Sequence, residues 1–177
     1  IVVLAGDHIY KMDYGRLLET HVAQCADVTV ACVEVPRQQA SQFGIVAVDP
    51  QDRIVAFSEK PVHPPGLAER PDRSLASMGV YVFNAEFLYE HLMRDACDSG
   101  SAHDFGRNVI PALVSQARVY AHRFSTSCMS GEPGMEPYWR DVGTLDAYWE
   151  ANIDLTCTEP TLSLYDRHWP LFTYHGQ

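Results

Sequence analysis

The sequence predicts an α/β sandwich built around a mostly parallel sheet. Runs of apolar, β-branched residues alternate along the 177 residues with segments whose apolar residues recur at helical spacing. The first run, residues 1–5, is apolar throughout, which is typical of a strand buried on both faces. Sheets of this kind bind ligands beyond the carboxyl ends of their strands, so polar residues that follow a strand are the first candidates for a site.

Six strands and four helices are predicted in this alternation. The strands are predicted at residues 1–5, 28–33, 43–48, 53–57, 77–83 and 119–124. Residues 43–48 and 53–57 are expected to form a hairpin, because the intervening Asp-Pro-Gln-Asp is composed of turn formers. The first two helices are predicted after Asp13 and Asn84, which are candidate caps. The third is predicted over residues 103–116, with Pro111 at a kink or in a first turn. The fourth is predicted after Gly143 or Thr144. The apolar face of the first helix is expected to be Leu17, Leu18, Val22 and Cys25. That of the second is expected to be Phe87, Leu88, Leu92 and Met93, and that of the fourth Leu145, Tyr148, Trp149, Ile153 and Leu155.

Two stretches have no such periodicity. Residues 125–137 contain Ser, Gly and Pro and are expected to form a loop. After residue 158 the pattern decays, so residues 159–177 are interpreted as a linker. Because the chain opens inside an apolar strand without Met or a cap, we expect it to be part of a longer protein.

The composition limits the class of protein and its partners. The length allows one domain with a sizeable core. A net charge of −10 without a run of Lys and Arg argues against a nucleic-acid partner. No apolar stretch has the length of a membrane span. The five cysteines are odd in number and lack C-x-x-C spacing, which favours the reducing cytoplasm.

Asp7 is the first candidate for chemistry. It follows the apolar strand 1–5 and Gly6, which allows a ligand to approach the backbone closely. A carboxylate at a strand end is a suitable ligand for Mg²⁺, which usually takes one or two carboxylates plus substrate phosphates. The alternative is an Asp that belongs to a turn or caps a helix.

Glu59, Lys60 and Asp141 are the further candidates. Lys60 ends a predicted strand and can neutralise a phosphate, and Glu59 can accept hydrogen bonds from sugar hydroxyls. The alternative for these two is a solvated charge pair. Asp141 would complete a metal site if the fold brought it near Asp7; the alternative is a salt bridge to Arg140 or a helix cap.

Six segments, in order and in register over essentially the whole chain, together resemble one family. They are LAGDHIYKMDY at residues 4–14, FGI at 43–45, FSEKP at 57–61, SLASMGVY at 74–81, HDFG at 103–106 and YWRDVGT at 138–144. The family is the bacterial glucose-1-phosphate adenylyltransferases, whose fold is a Rossmann-like nucleotide-diphospho-sugar transferase sandwich. The resemblance implies that residues 1–158 are the second half of the catalytic domain and that residues 159–177 lead to a left-handed β-helix domain.

The resemblance also implies a reaction and roles for individual residues. The family makes ADP-glucose and pyrophosphate from ATP and α-D-glucose 1-phosphate with Mg²⁺, for glycogen synthesis, as an allosterically regulated cytoplasmic enzyme expected to be a homotetramer. Asp7 and Asp141 match its metal-holding carboxylates, and Lys60 matches its sugar-phosphate lysine. The residues that match glucose 1-phosphate contacts or lie in motifs near the sugar are Gly44, Glu59, Ser77, Asp104 and Trp139.

One departure from the family leaves alternatives open. The family's Gly-rich nucleotide loop is absent and would lie upstream of residue 1, so residues 1–177 alone are expected to be inactive. A related transferase with another nucleotide is one alternative, although residues 77–79 and 139–141 favour the glucose and ADP branch. A non-catalytic regulatory subunit or sugar-phosphate-binding module is another, and the presence of Asp7, Lys60 and Asp141 argues against it.

Overall fold

The structure, a computed structural model, describes residues 1–130, 136–167 and 169–171. These residues contain eight strands: β1 (Val2–Val3), β2 (His8–Tyr10), β3 (Val28–Pro36), β4 (Gly44–Val48), β5 (Ile54–Glu59), β6 (Arg73–Phe83), β7 (Val119–Arg123) and β8 (Trp139–Asp141). Four α-helices accompany them: α1 (Tyr14–Ala23), α2 (Ala85–Ala96), α3 (Ile110–Val114) and α4 (Leu145–Asp154). The predicted α/β class is confirmed.

Six strands form one mixed sheet. Its order is β5-β4-β6-β3-β7, with β1 also paired to β6. The parallel pair among the described strands is β3–β7, and the other pairs are antiparallel. This balance differs from the mostly parallel sheet that the sequence predicts. Strands β1, β3, β4 and β7 do run in one direction, but β6 runs against them and lies between β3 on one side and β1 and β4 on the other.

Helices cover both faces of this sheet. Alternate residues of β3 point to opposite sides, as expected for a strand. Val28, Val30 and Cys32 pack with α2 and α3, whereas Ala31 and Val33 pack with Leu17 of α1. The predicted sandwich is therefore present.

The expectation that residues 1–5 are buried on both faces is wrong for this structure. Ile1 and Leu4 are 44 % and 50 % exposed, and the ordered strand is shortened to Val2–Val3. Among the described residues β1 pairs with β6 alone, so its other edge and part of its faces remain open.

Two predicted segments extend beyond the described residues. Residues 131–135 of the expected 125–137 loop, and residue 168 and residues 172–177 of the expected linker, lie outside them. Before residue 168, the linker segment contacts the body of the protein, because Leu162 is buried and Asp166 pairs with Lys11. That residues 159–177 are a linker, and that residues 1–158 are a partial catalytic domain, stay predictions.

Candidate active site

A short two-stranded ribbon brings together two carboxylates that are far apart in the sequence. Strands β2 and β8 pair antiparallel, with His8 opposite Asp141 and Tyr10 opposite Trp139. The backbone N–H of Val142 donates to the carbonyl of Asp7 at 2.9 Å, which extends the pairing by one step. The ribbon therefore places Asp7 and Asp141 side by side.

The two carboxylates converge over Gly143. A Cβ atom built on Gly143 would lie 3.0 Å from Asp141 Oδ1 and 3.2 Å from Asp7 Oδ2, so glycine leaves the space between the two groups open. Asp141 Oδ1 also accepts the N–H of Gly143 at 2.8 Å. The Asp7 side chain is 59 % exposed and lies 3.6 Å from His8 Nε2. Two carboxylates thus face one open point.

Other residues fill the alternative roles that the sequence leaves open for these aspartates. Arg140 pairs with Asp154 at 2.7 Å rather than with Asp141. Thr144 caps α4 by accepting the N–H of Ala147, and Asp13 caps α1 by accepting the N–H of Gly15. Neither Asp7 nor Asp141 is the cap of a described helix.

Lys60 lies where β5 ends, on the same cleft as the two aspartates. The cleft has a volume of about 1100 Å³, and Asp7, Lys60, Trp139 and Asp141 contribute to its lining. The backbone of Lys60 has φ of +47°, in the left-handed region that non-glycine residues rarely adopt. Its N–H donates to the carbonyl of Phe43 at 3.0 Å, which helps to hold this conformation. Strained residues of this kind are concentrated at functional sites.

Trp139 forms a wall of the cleft. Its ring makes edge contacts with His8 and Phe43, with ring centroids 5.1 Å and 5.2 Å apart. Its indole Nε1 is buried and has no hydrogen-bond partner among the described residues. A buried donor without a hydrogen-bond partner is costly.

Glu59 lies between two glycines. A Cβ atom on Gly44 or on Gly106 would be 2.9 Å from Glu59 Oε2, and the one on Gly106 would also be 3.4 Å from Asp104 Oδ1. Asp104 itself accepts the N–H of Arg107 at 2.8 Å and so begins the turn at Phe105–Val109. Three predicted residues, Gly44, Glu59 and Asp104, therefore lie together beside the start of that turn.

Ser77 reaches the same region through an irregularity in β6. The register of β6 against β3 shifts between Ala31 and Cys32, where Met78 and Gly79 form a bulge and Gly79 has φ of +64°. Such a bulge redirects neighbouring side chains. Ser77 Oγ lies 3.5 Å from Tyr81 Oη.

Two aromatic residues beside Ser77 and Asp104 were not singled out from the sequence. The ring of Tyr81 stacks on that of Phe105 with centroids 5.6 Å apart. Burial raises the pKa of Tyr81, and the nearby charges of Glu59 and Asp104 raise it further. The phenol is therefore a protonated donor next to two carboxylates. Tyr81 and Phe105 lie inside the 74–81 and 103–106 segments, and that position was the signal in the sequence that could have identified them.

The described residues contain neither a larger metal-binding cluster nor a membrane-spanning helix. Within the described ranges there is no group of three or more His, Cys, Asp and Glu side chains that could hold a metal ion. Within the same ranges, no helix is both long and apolar enough to cross a membrane.

The chain is similar in sequence, over its full length, to several proteins of the same name. Over its full length the chain is 58 % identical to a glucose-1-phosphate adenylyltransferase of Methylobacillus flagellatus, covering 41 % of that protein. It is also 58 % identical to the one of Rhodospirillum rubrum and 56 % identical to the one of Dechloromonas aromatica, covering 42 % and 40 % of those proteins. The chain thus spans about two fifths of the length of these relatives. The narrower expectation, that it is the second half of the catalytic domain, stays a prediction.

A family of proteins, and not only individual relatives, matches the chain. The sequence pattern of the nucleotidyl transferase family matches residues 1–158, which contain both aspartates, Lys60 and the whole six-stranded sheet. This range is most of the chain. The chain therefore belongs to the nucleotidyl transferase family.

Proposed function

We propose that the protein containing this chain transfers the adenylyl group of ATP to α-D-glucose 1-phosphate, giving ADP-glucose and pyrophosphate for glycogen biosynthesis. The observation that carries this proposal is the convergence of Asp7 and Asp141 over Gly143, on a cleft that also holds Lys60. The family match and the names of the relatives support it.

The two aspartates fit a divalent cation. They offer hard carboxylate oxygens directed to one point, and the open cleft leaves room for phosphate oxygens to complete the coordination. Asp7 and Asp141 would hold Mg²⁺. When bound, Mg²⁺ neutralises phosphate charge and so lets two anionic substrates approach each other.

The remaining residues divide into a phosphate side and a sugar side. Lys60 supplies a positive charge for the phosphate of glucose 1-phosphate, and the ring of Trp139 lines the same cleft. Glu59 and Asp104 offer acceptors, and Ser77 a hydroxyl, to the sugar hydroxyls beside Gly44. These groups bind and orient the sugar phosphate.

The reaction needs no protein nucleophile. A phosphate oxygen of glucose 1-phosphate attacks the α-phosphorus of ATP, the bond from that phosphorus to the bridging oxygen breaks, and pyrophosphate leaves with the bond electrons. The protein's contribution is to position the two substrates and to stabilise charge. Cytoplasmic location, allosteric control and a homotetrameric full-length protein belong to the same proposal.

The test uses the full-length protein and the release of pyrophosphate from ATP and glucose 1-phosphate. Lys60→Ala is expected to raise KM for glucose 1-phosphate roughly 10- to 100-fold with a smaller change in kcat, because a charge-assisted hydrogen bond contributes about 1.5–3 kcal/mol. Asp7→Asn is expected to lower kcat on the order of 100-fold or more, because it removes charge from the metal pair.

Glu90→Gln is the control, since Glu90 pairs with Arg94 on the exposed side of α2. An Asp7→Asn variant with the kcat of the wild type would refute the metal assignment. Comparing ATP with UTP, CTP and GTP tests the nucleotide, and a wild-type preference for another triphosphate would exclude adenylyl transfer as the main reaction.

A further inference from the structure

A buried ion pair joins the ribbon that carries the aspartates to the last described segment of the chain. Lys11 directly follows β2, and its side chain is only 1 % exposed. Its Nζ lies 2.7 Å from Oδ2 of Asp166, whose side chain is 26 % exposed. The two residues are 155 positions apart in the sequence.

The burial of Lys11 depends on this segment. An ammonium group removed from water is strongly unfavourable without an opposite charge, so the carboxylate of Asp166 must be in place for Lys11 to stay buried. The segment is held on the body of the protein by Leu162, which is 2 % exposed. The N–H of Trp169 donates to Asp166 Oδ1 at 3.4 Å. The buried position of the Lys11 side chain therefore depends on the position of the segment that contains Leu162 and Asp166.

The ribbon needs such an anchor. Strands β2 and β8 have three residues each and, among the described strands, pair only with each other. A two-stranded ribbon is at most marginally stable by itself. At its end the carbonyl of Lys11 accepts the N–H of Met129 at 2.9 Å, so Lys11 is fixed through both its backbone and its side chain.

We infer that Lys11 and Asp166 are a pair of positioning residues, which fix the β2–β8 ribbon and through it the relative placement of Asp7 and Asp141. This inference rests on the proposed function only where it treats those aspartates as a metal pair. Without the ion pair the ribbon would sample other positions, and the two carboxylates would meet at one point for a smaller fraction of the time.

The first measurement is amide hydrogen exchange in the full-length protein without substrates or metal. Asp166→Asn keeps the shape of the side chain but removes its charge. Exchange at Val142 and Met129, whose N–H groups donate to Asp7 and Lys11, is expected to become at least tenfold faster. Glu90→Gln, which removes an exposed charge pair on α2, is expected to leave these rates unchanged.

The second measurement is the Mg²⁺ concentration that gives half-maximal rate. We expect Asp166→Asn and Lys11→Met each to raise it at least fivefold, with KM for glucose 1-phosphate changed less than twofold. The double variant is expected to be no worse than the more impaired single variant, because the two residues act through one contact. Should Asp166→Asn fail to fold, Lys11→Met, which removes the other charge of the same pair, takes its place in the exchange measurement and alone provides the Mg²⁺ midpoint.

Three results would overturn the inference. They are faster exchange confined to residues 159–171, an unchanged Mg²⁺ midpoint in both single variants, or a double variant whose effect is the product of the two single effects. A wild-type protein without adenylyl transfer would instead refute the proposed function, and the exchange measurement would still test the anchoring of the ribbon.

Discussion

His122 is a histidine held neutral inside the protein. Its side chain lies in β7, where the residue is only 3 % exposed, with Nδ1 2.8 Å from Thr20 Oγ1 and Nε2 2.8 Å from Ser127 Oγ. Each ring nitrogen therefore has a hydroxyl partner, so the neutral ring is satisfied without a charged neighbour at either nitrogen. Burial lowers the pKa of His122 from 6.5 to about 4.

This histidine predicts a loss of stability in mild acid. Below pH 6.5 the unfolded chain binds a proton at His122, whereas the folded protein binds it only near pH 4. The contribution of the neutral His122 to the free energy of unfolding is therefore complete above pH 6.5 and decreases as the pH falls toward 4. The full effect is up to about 3 kcal/mol. Urea unfolding between pH 7.5 and 4.5 should show a shallower pH dependence in His122→Gln than in the wild type.

His63→Gln is the matched control, because His63 is exposed. It should keep the pH dependence of the wild type. Equal slopes for the wild type and His122→Gln would show that this histidine is not the source of the acid sensitivity.

At the scale of elements, the local signals in the sequence predicted most of the secondary structure. All six predicted strands and the hairpin at residues 43–57 are present, and Asp13 does cap α1. Asn84 begins α2 but does not cap it, because its side chain donates to the carbonyl of Ala26 and lies near His21. Those partners are distant in sequence, so helix-start patterns contain no information about them.

Further element predictions were only partly right, including the apolar face of α4, where Leu145, Trp149 and Ile153 are exposed. Residues 103–116 form a turn at Phe105–Val109 and then α3, with Pro111 in its first turn, instead of one helix. On α1, Leu17 is buried, but Leu18 and Val22 are exposed and His21 takes an inner position. Apolar periodicity cannot distinguish these cases, since His21 takes an inner position through a hydrogen-bond partner, Thr29, that lies on another element.

The candidate site was predictable in its parts but not in its arrangement. The rule that ligands bind beyond the carboxyl ends of strands indicated Asp7 and Lys60. The structure places both on one cleft with Asp141. Tyr81 and Phe105 were missed because aromatic residues in apolar segments have the pattern of core residues. Their contact depends on the position of β6 beside the 105–109 turn, which local sequence does not determine. The catalytic and binding roles of all these residues stay predictions.

The bulge in β6 leads to an element-scale prediction. Gly79 has φ of +64°, and a Cβ atom there would lie 3.1 Å from the Cβ of Ala5. Gly79→Ala is therefore expected to lower the free energy of unfolding by about 1–2 kcal/mol, the usual cost of a left-handed non-glycine residue. Urea unfolding measures this, with Gly100→Ala in an exposed loop as the control. A Gly79→Ala protein as stable as the control would mean that the bulge relaxes at no cost.

At the scale of the whole molecule, strand order was the feature that the sequence did not predict. The directions of β1, β3, β4 and β7 agree with the expected parallel arrangement. Long-range pairing inserts β6 among them, so that its neighbours on both sides are antiparallel. Period and propensity describe single strands, and the choice of a neighbour depends on contacts between distant parts of the chain.

Binding of the sugar phosphate should stabilise the whole fold. A ligand that binds only the folded state at 100 times its Kd adds about 2.7 kcal/mol. Glucose 1-phosphate is therefore expected to raise the Tm of the full-length protein, and less so in Lys60→Ala at the same concentration. Glucose without phosphate is the control. An equal rise in the wild type and in Lys60→Ala would separate Lys60 from the binding site.

Strand β6 has one more consequence for how the site is built. Val3 of β1 pairs with Tyr81, and Ile45 of β4 pairs with Ala76, so two strands meet end to end along one edge of β6. Asp7 follows the first of them and Gly44 begins the second. The pairing along β6 thus sets the distance between the strand that leads to Asp7 and the strand that begins at Gly44. Because Ala76 and Tyr81 lie opposite Val33 and Val30 of β3, three strand steps of about 3.3 Å each separate the two ends, and insertions in the loops around the site would leave this distance unchanged.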